Sequence, residues 1–276
     1  MLSLAGFAVA AMCLVMAAAW LVQRRTRNAG WADAFWSFGI GATGAICALL
    51  PLPGTGWHAP PARAILVTLL ALLWSFRLGL YIARRTAGSR REDARYARFR
   101  QEWGSAFGAR LFGLLMIQAI VAALLTICVM LAARNPVHGF RALDVAAALL
   151  LAGAVAGEAV ADRQMHRFRR SADARGKICD IGLWAWSRHP NYFFECLAWC
   201  AYPLFAFDPS FRWPWGVAAL AGPLSMAWLL TRVSGIPPLE REMIESRGDL
   251  YRAYQARVSA FLPLPPRRGA TIEVTS

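Results

Sequence analysis

Lysine is all but missing from this chain. Lys177 is the only one, so the basic charge rests on arginine. A nucleic-acid surface or a polybasic tail would have to be built from arginine alone, and neither is favoured. No C-x-x-C occurs, which removes the common zinc and redox spacings. Cys13, Cys47, Cys128, Cys196 and Cys200 lie in apolar runs and Cys179 in a loop, the pattern of buried thiols. His58, His138, His166 and His189 show no metal-ligand spacing, so no metal is expected. The first apolar run has no basic segment before it and is followed by Arg24, Arg25 and Arg27. A cleaved signal peptide has the opposite charge order, so this run reads as a retained helix with its N-terminus outside.

What is present is apolar length. The chain has 276 residues, is 58% hydrophobic and has a mean hydropathy of +0.40. The expected fold class is all-α, a polytopic membrane protein of seven transmembrane helices. The spans read as 2–22, 33–50, 63–83, 111–133, 142–161, 191–207 and 214–233. A Pro/Gly-rich turn, PLPGTGWHAPP, follows the second. The formal charge of +14 fits the positive-inside rule. With the N-terminus outside and the C-terminus cytoplasmic, the segments 23–30, 84–110, 162–190 and 232–276 carry 25 of the 30 Arg and Lys residues. The outer side keeps Arg63, Arg134, Arg141 and Arg212, and Arg77 lies within the third span.

Asp33, Arg77, Glu158, Asp162 and Glu195 all fall in the inner leaflet of this topology. Charge at such depth is costly and usually faces a bundle interior or a cavity. Two accounts fit: a polar cavity open to the cytoplasm, or dispersed ion pairs such as Arg77 with Asp33. Gly39, Gly41 and Gly44 spell G-x-G-x-x-G, but inside an apolar span with no strand before it. Close helix packing is the expected role rather than dinucleotide binding. The 12 Trp residues cluster near span ends, as interface anchors do.

The densest polar stretch at a span entry is GLWAWSRHPNYFFECLAWC, residues 182–200. Pro190 suits the first turn of a helix, where its missing N–H costs nothing. Asn191, Tyr192 and Glu195 then fall on the first turns, near the positive end of the helix dipole, which favours anionic ligands such as phosphate.

At RHPNYFFE the chain resembles the membrane reductase superfamily of steroid 5α-reductases, sterol C14 reductases and isoprenylcysteine carboxyl methyltransferases. More narrowly, it resembles a bacterial branch of the steroid 5α-reductase family, the DUF1295 proteins. The resemblance runs through NAGWADAFWSFG (28–39), RLGLYIARR (77–85), REDARYARFRQEWG (91–104), ADRQMHRFRR (161–170), GLWAWSRHPNYFFE (182–195), VSGIPPLERE (233–242) and YRAYQARVSAFLP (251–263). It implies a single integral membrane domain, 1–276, whose part 111–263 contains the cofactor-binding half, with NADPH held on the cytosolic side. Carried over residue by residue, Asp162 and Arg169 match one acidic and one basic cofactor position. Arg188, His189, Asn191, Tyr192 and Glu195 match the R-H-P-N-Y-x-x-E element, and Tyr254 and Arg257 the tail. Arg169 and Arg257 suit phosphates. Asn191 and Glu195 suit ribose or amide groups. The plainer alternatives are a positive-inside charge for Arg169, and a helix cap and buried ion pair for Asn191 and Glu195.

The pattern also departs from the steroid reductases. Those use a Gln-Glu pair in the second span and a Tyr in the third to polarise the substrate carbonyl. Here the positions hold Ala32-Asp33 and Trp74. Indole donates a hydrogen bond but cannot deliver a proton as phenol does. The expected activity is therefore NADPH-dependent reduction of an activated C=C bond in a hydrophobic, membrane-dissolved small molecule. Asp33 is the first candidate acid and Tyr192 the second, while an N-terminal helix charge is the plain account of Asp33. An S-adenosylmethionine-dependent methyltransferase is the alternative, through the shared RHP entry and the pattern L-E-x-E…R-G-x-x-Y-x-x-Y from Leu239 to Tyr254. A non-enzymatic membrane partner protein is the third reading. The expected surroundings are a lipid bilayer, in particular a bacterial inner membrane. Substrate identity and oligomeric state are not read from the sequence.

Overall fold

A computed structural model describes residues 1–51, 61–89, 92–137, 139–171 and 176–267. Most of the Pro/Gly-rich turn, with His58, and also His138, lie outside the described residues. The helices are α1 (Leu2–Thr26), α2 (Trp31–Leu49), α3 (Ala62–Gly88), α4 (Ala94–Trp103), α5 (Phe107–Ala133), α6 (Ala142–Arg170), α7 (Pro190–Trp199), α8 (Ala201–Ala206), α9 (Ala221–Trp228), α10 (Ile236–Arg247) and α11 (Asp249–Arg257). Among the described residues β pairing is limited to one isolated bridge, Ser187 to Ser259.

Among the described residues, six helical stretches are long and apolar enough to cross a membrane: Leu2–Thr26, Trp31–Leu49, Ala62–Gly88, Arg95–Ala133, Ala142–Arg170 and Pro214–Arg247. By length and composition the chain is an integral membrane protein. The expected span 191–207 is instead two short helices, α7 and α8, with a break at Cys200. Pro203 accounts for the break. It has no N–H to give the Trp199 carbonyl four residues earlier, and its ring crowds that carbonyl.

The chain divides into two compact units, Met1–Ala148 with Ala201–Gly222, and Leu149–Cys200 with Pro223–Ser276. In the first, α2 packs against α1, α3 and α5. Glycine permits this approach: a Cβ on Gly41 would lie 2.2 Å from Ser75 Oγ, and one on Gly39 2.9 Å from Met12 and Val15. The G-x-G-x-x-G thus serves close packing at these two positions.

Helix ends of this unit are closed by basic side chains. Arg134 donates to the Cys47 and Leu50 carbonyls. Asn135 donates to the carbonyls of Phe205, Ala206 and Phe207. Arg63 reaches the Asn135, Val137 and Gly139 carbonyls and pairs with Asp144 at 3.0 Å. Arg141 pairs with the same carboxylate at 2.7 Å. Terminal carbonyls that no helix can satisfy internally are answered here by cations and one amide.

A second network joins the α1–α2 turn to α4. The Ala29 N–H donates to Glu92, which also holds Arg100. Asp93 caps α4 by accepting the Arg95 N–H. Burial opposes ionisation of Asp93, but the Arg95 and Arg85 guanidinium groups and the Arg95 N–H together outweigh it and hold the carboxyl below its usual range.

Candidate functional site

In the second unit the segment before α7 is stitched to the C-terminal stretch. The Arg188 N–H donates to the Ser259 carbonyl at 2.8 Å, and the Leu264 N–H to the Trp186 carbonyl at 3.0 Å. The Ser187 hydroxyl donates to the Phe261 carbonyl and accepts the His189 N–H. Pro190 opens α7 as its first residue, with His189 in the capping position. This local geometry follows from the sequence, since proline is pre-set for the first helical turn.

Glu240 on α10 lies at the centre of the assembly. Its Oε1 accepts from Arg188 Nε at 2.7 Å and lies 3.1 Å from His189 Nε2. Its Oε2 accepts from Gln255 Nε2 on α11 at 2.8 Å. Arg188 also donates to the Gln255 and Val258 carbonyls. Its side chain is 9% exposed, so most of the guanidinium is engaged by protein. Burial pushes the His189 imidazole below its ordinary value, with Glu240 pulling the other way, which favours the neutral ring at pH 7. The Tyr192 ring stacks on it, with centroids 5.5 Å apart and planes 7° from parallel.

The remaining expected cofactor residues fall in the same unit. Asn191 is half-buried on the first turn of α7, and its side-chain amide has no hydrogen-bond partner among the described residues. Glu195 is buried and accepts from Trp199 Nε1 at 3.0 Å. Asp162 is buried on α6, while Arg169, in the last turn of that helix, is exposed. The Tyr254 hydroxyl donates to the Trp184 carbonyl, and burial raises its pKa. Arg257 pairs with Asp180 at 3.1 Å beside a cleft of about 230 Å³, which Tyr254 and Lys177 also line.

Asp33 belongs to the first unit. Its Oδ2 accepts from Arg95 Nη2 at 2.6 Å and its Oδ1 from the Tyr96 hydroxyl at 3.0 Å. Its ion pair is with Arg95, where the sequence reading offered Arg77 as an example. Trp74, also in that unit, is buried and meets Trp36 edge to face at 6.4 Å.

Two residues of the site escaped the sequence reading, Glu240 and Gln255. Both lay inside motifs already noted, VSGIPPLERE and YRAYQARVSAFLP. The signal was the unmatched charge of Arg188, which required an acidic partner once buried.

A family model described as "Protein of unknown function (DUF1295)" matches residues 19–258. The chain belongs to the DUF1295 family. A relative in Schizosaccharomyces pombe, named Uncharacterized protein C594.04c, is 28% identical, over 88% of this chain and 75% of its own length. No solved structure matches the chain.

Proposed function

We propose that the protein is an NADPH-dependent membrane oxidoreductase that reduces an activated, enone-like C=C bond in a hydrophobic steroid- or isoprenoid-like lipid. One observation carries the reading: the reductase-like segments of the second half converge. Segment 161–170 meets 182–195 through Trp184 Nε1 on the Ala161 carbonyl and the Leu183 N–H on Gln164. Segment 182–195 meets 233–242 through Arg188, His189 and Glu240. Segment 251–263 joins them through Gln255 and Tyr254. Four stretches far apart in sequence would not otherwise be expected to interlock around one helix start.

The residues present fit the cofactor unevenly. Asn191 has an amide available for a carboxamide or hydroxyl, and Arg169 a guanidinium available for phosphate. Arg188 and Arg257 are already paired with Glu240 and Asp180, so the preference for a 2′-phosphate rests on Arg169. Tyr254 shapes the wall, since its hydroxyl is given to Trp184. When bound, NADPH supplies the hydride. The chain orients it at the start of α7, where the helix dipole favours negative charge. Both Asp33 oxygens act as acceptors, so in this reading Tyr192 Oη donates the proton to the reduced carbon skeleton. The reading also keeps the apolar stretch 191–207 as a span. That gives seven spans, with the N-terminus outside and the C-terminal segment at the cytoplasmic face of a bacterial inner membrane.

One feature favours a second reading, S-adenosylmethionine-dependent methyl transfer. Glu240 is the first acid of the tail pattern shared with the methyltransferases, and it is bound to His189. Nucleotide binding to the protein purified in lipid nanodiscs separates the two. NADPH binding that is weakened in both Asn191→Ala and Arg169→Ala supports the reductase and justifies a screen of enones and polyprenyl lipids. Binding of S-adenosylmethionine alone overturns it in favour of methyl transfer. Binding of none favours a non-enzymatic membrane partner.

A further inference from the structure

We propose that Glu240 is a positioning residue that keeps the His189 proton on Nε2, so that Nδ1 faces the ligand at the start of α7 as a hydrogen-bond acceptor. The identity of that ligand, a group with an amide N–H or hydroxyl donor such as a nicotinamide or ribose, rests on the reductase reading. The role of Glu240 rests on geometry.

Glu240 already receives the Arg188 Nε–H on the same oxygen that lies 3.1 Å from His189 Nε2. A carboxylate so placed only accepts, which makes Nε2 the donor. Gln255 occupies the other oxygen, so the carboxylate cannot turn away without breaking a second bond. The imidazole is 3% exposed and its face is covered by Tyr192, so the ring cannot turn over freely. A neutral imidazole has one proton, and with that proton on Nε2 the other nitrogen is a bare acceptor. No described residue donates to Nδ1. Two positions along, the Asn191 amide is likewise unengaged. Among the described residues both groups lie unengaged at this helix start, and the Glu240 clamp holds the imidazole there.

The test is nitrogen NMR on protein labelled with ¹⁵N-histidine in nanodiscs at pH 7, with the His189 signal assigned by its loss in His189→Asn. The wild type is expected to show the Nε2–H form, and NADPH to shift the Nδ1 signal. Glu240→Ala is expected to lose the tautomer preference and about tenfold in NADPH affinity, the effect of one unmet buried donor. Glu240→Gln, which keeps an acceptor oxygen, is expected to retain the Nε2–H form and to restore most of the affinity. Should Glu240→Ala fail to fold because Arg188 is left buried and unpaired, the wild-type spectrum and Glu240→Gln still decide. An Nδ1–H or doubly protonated His189 in the wild type overturns the proposal, as does an Nδ1 signal that NADPH leaves unmoved while binding tightly. If NADPH does not bind the wild type at all, the reductase reading fails. The tautomer and its loss in Glu240→Ala then still test Glu240.

Discussion

Asp144 in the first unit and Glu240 in the second are each a carboxylate held between basic side chains. Around Asp144 the partners are Arg63 and Arg141, and the guanidinium groups continue to the carbonyls of Asn135, Val137, Gly139 and Phe205. Asp144 is fully buried, and its cluster closes helix ends. Around Glu240 the partners are one arginine, one imidazole, one amide and the Tyr251 hydroxyl. There the ring leaves a nitrogen unengaged, and the first turn of the helix presents Asn191. The contrast lies in what remains after the protein has satisfied itself. A cluster made of arginine and backbone leaves nothing for a ligand, while one that includes histidine at a helix start leaves an acceptor and an amide.

Asp144→Ala should have the largest effect. It leaves two guanidinium groups without their carboxylate, one of them with a side chain only 3% exposed. Breaking such a buried pair costs about 3–5 kcal/mol. The expected result is a large fall in the thermal unfolding temperature and poor recovery of monodisperse protein. Whatever folds should bind NADPH with wild-type affinity. A selective loss of binding in well-folded Asp144→Ala would break the distinction between the clusters. Asn191→Ala should do the reverse. Affinity should fall about tenfold, one ligand hydrogen bond, with unfolding unchanged because the amide holds no described residue. Arg169→Ala is smaller again. The side chain is exposed, so NADPH affinity should fall about threefold, the scale of a surface ion pair, and NADH affinity should stay as it was. Equal loss for both nucleotides would remove Arg169 from any contact with the 2′-phosphate.

The sequence carried the membrane class and most of the helices, because long apolar runs have few other solutions. Pro190 was legible as a helix start for the same kind of reason, a backbone rule that acts locally. Pro203 carried an equally local rule, yet 191–207 was read as one span because apolar length masked the single proline. Asp33 was legible as an acid at a helix start. Its partners Arg95 and Tyr96 were not, being 62 and 63 residues away. Glu240 is one of three acids on α10, with Glu242 and Glu245. Spacing along one helix does not say which of the three meets a given arginine, so the centre of the candidate site became visible only once α7, α10 and α11 were placed together.

The smallest effect expected is the one that reads the imidazole itself. Two influences oppose each other at His189. Burial disfavours the charged ring, and Glu240 favours it, while Arg188 beside them adds to the disfavour. Burial is the larger, so the folded pKa lies below the ordinary value of 6.5. As pH falls through that window the unfolded chain takes up a proton that the folded chain refuses, which favours unfolding. The stabilisation is therefore complete above about pH 6.5 and is lost as pH drops through the folded value. Thermal unfolding measured from pH 7.5 to pH 5.5 should show a decline in the wild type that is shallower in His189→Asn. Equal slopes would assign the titration to another group. A slope of the opposite sign would mean that Glu240 outweighs burial. The ring would then be an imidazolium with no acceptor nitrogen, and the helix start would present a charge instead.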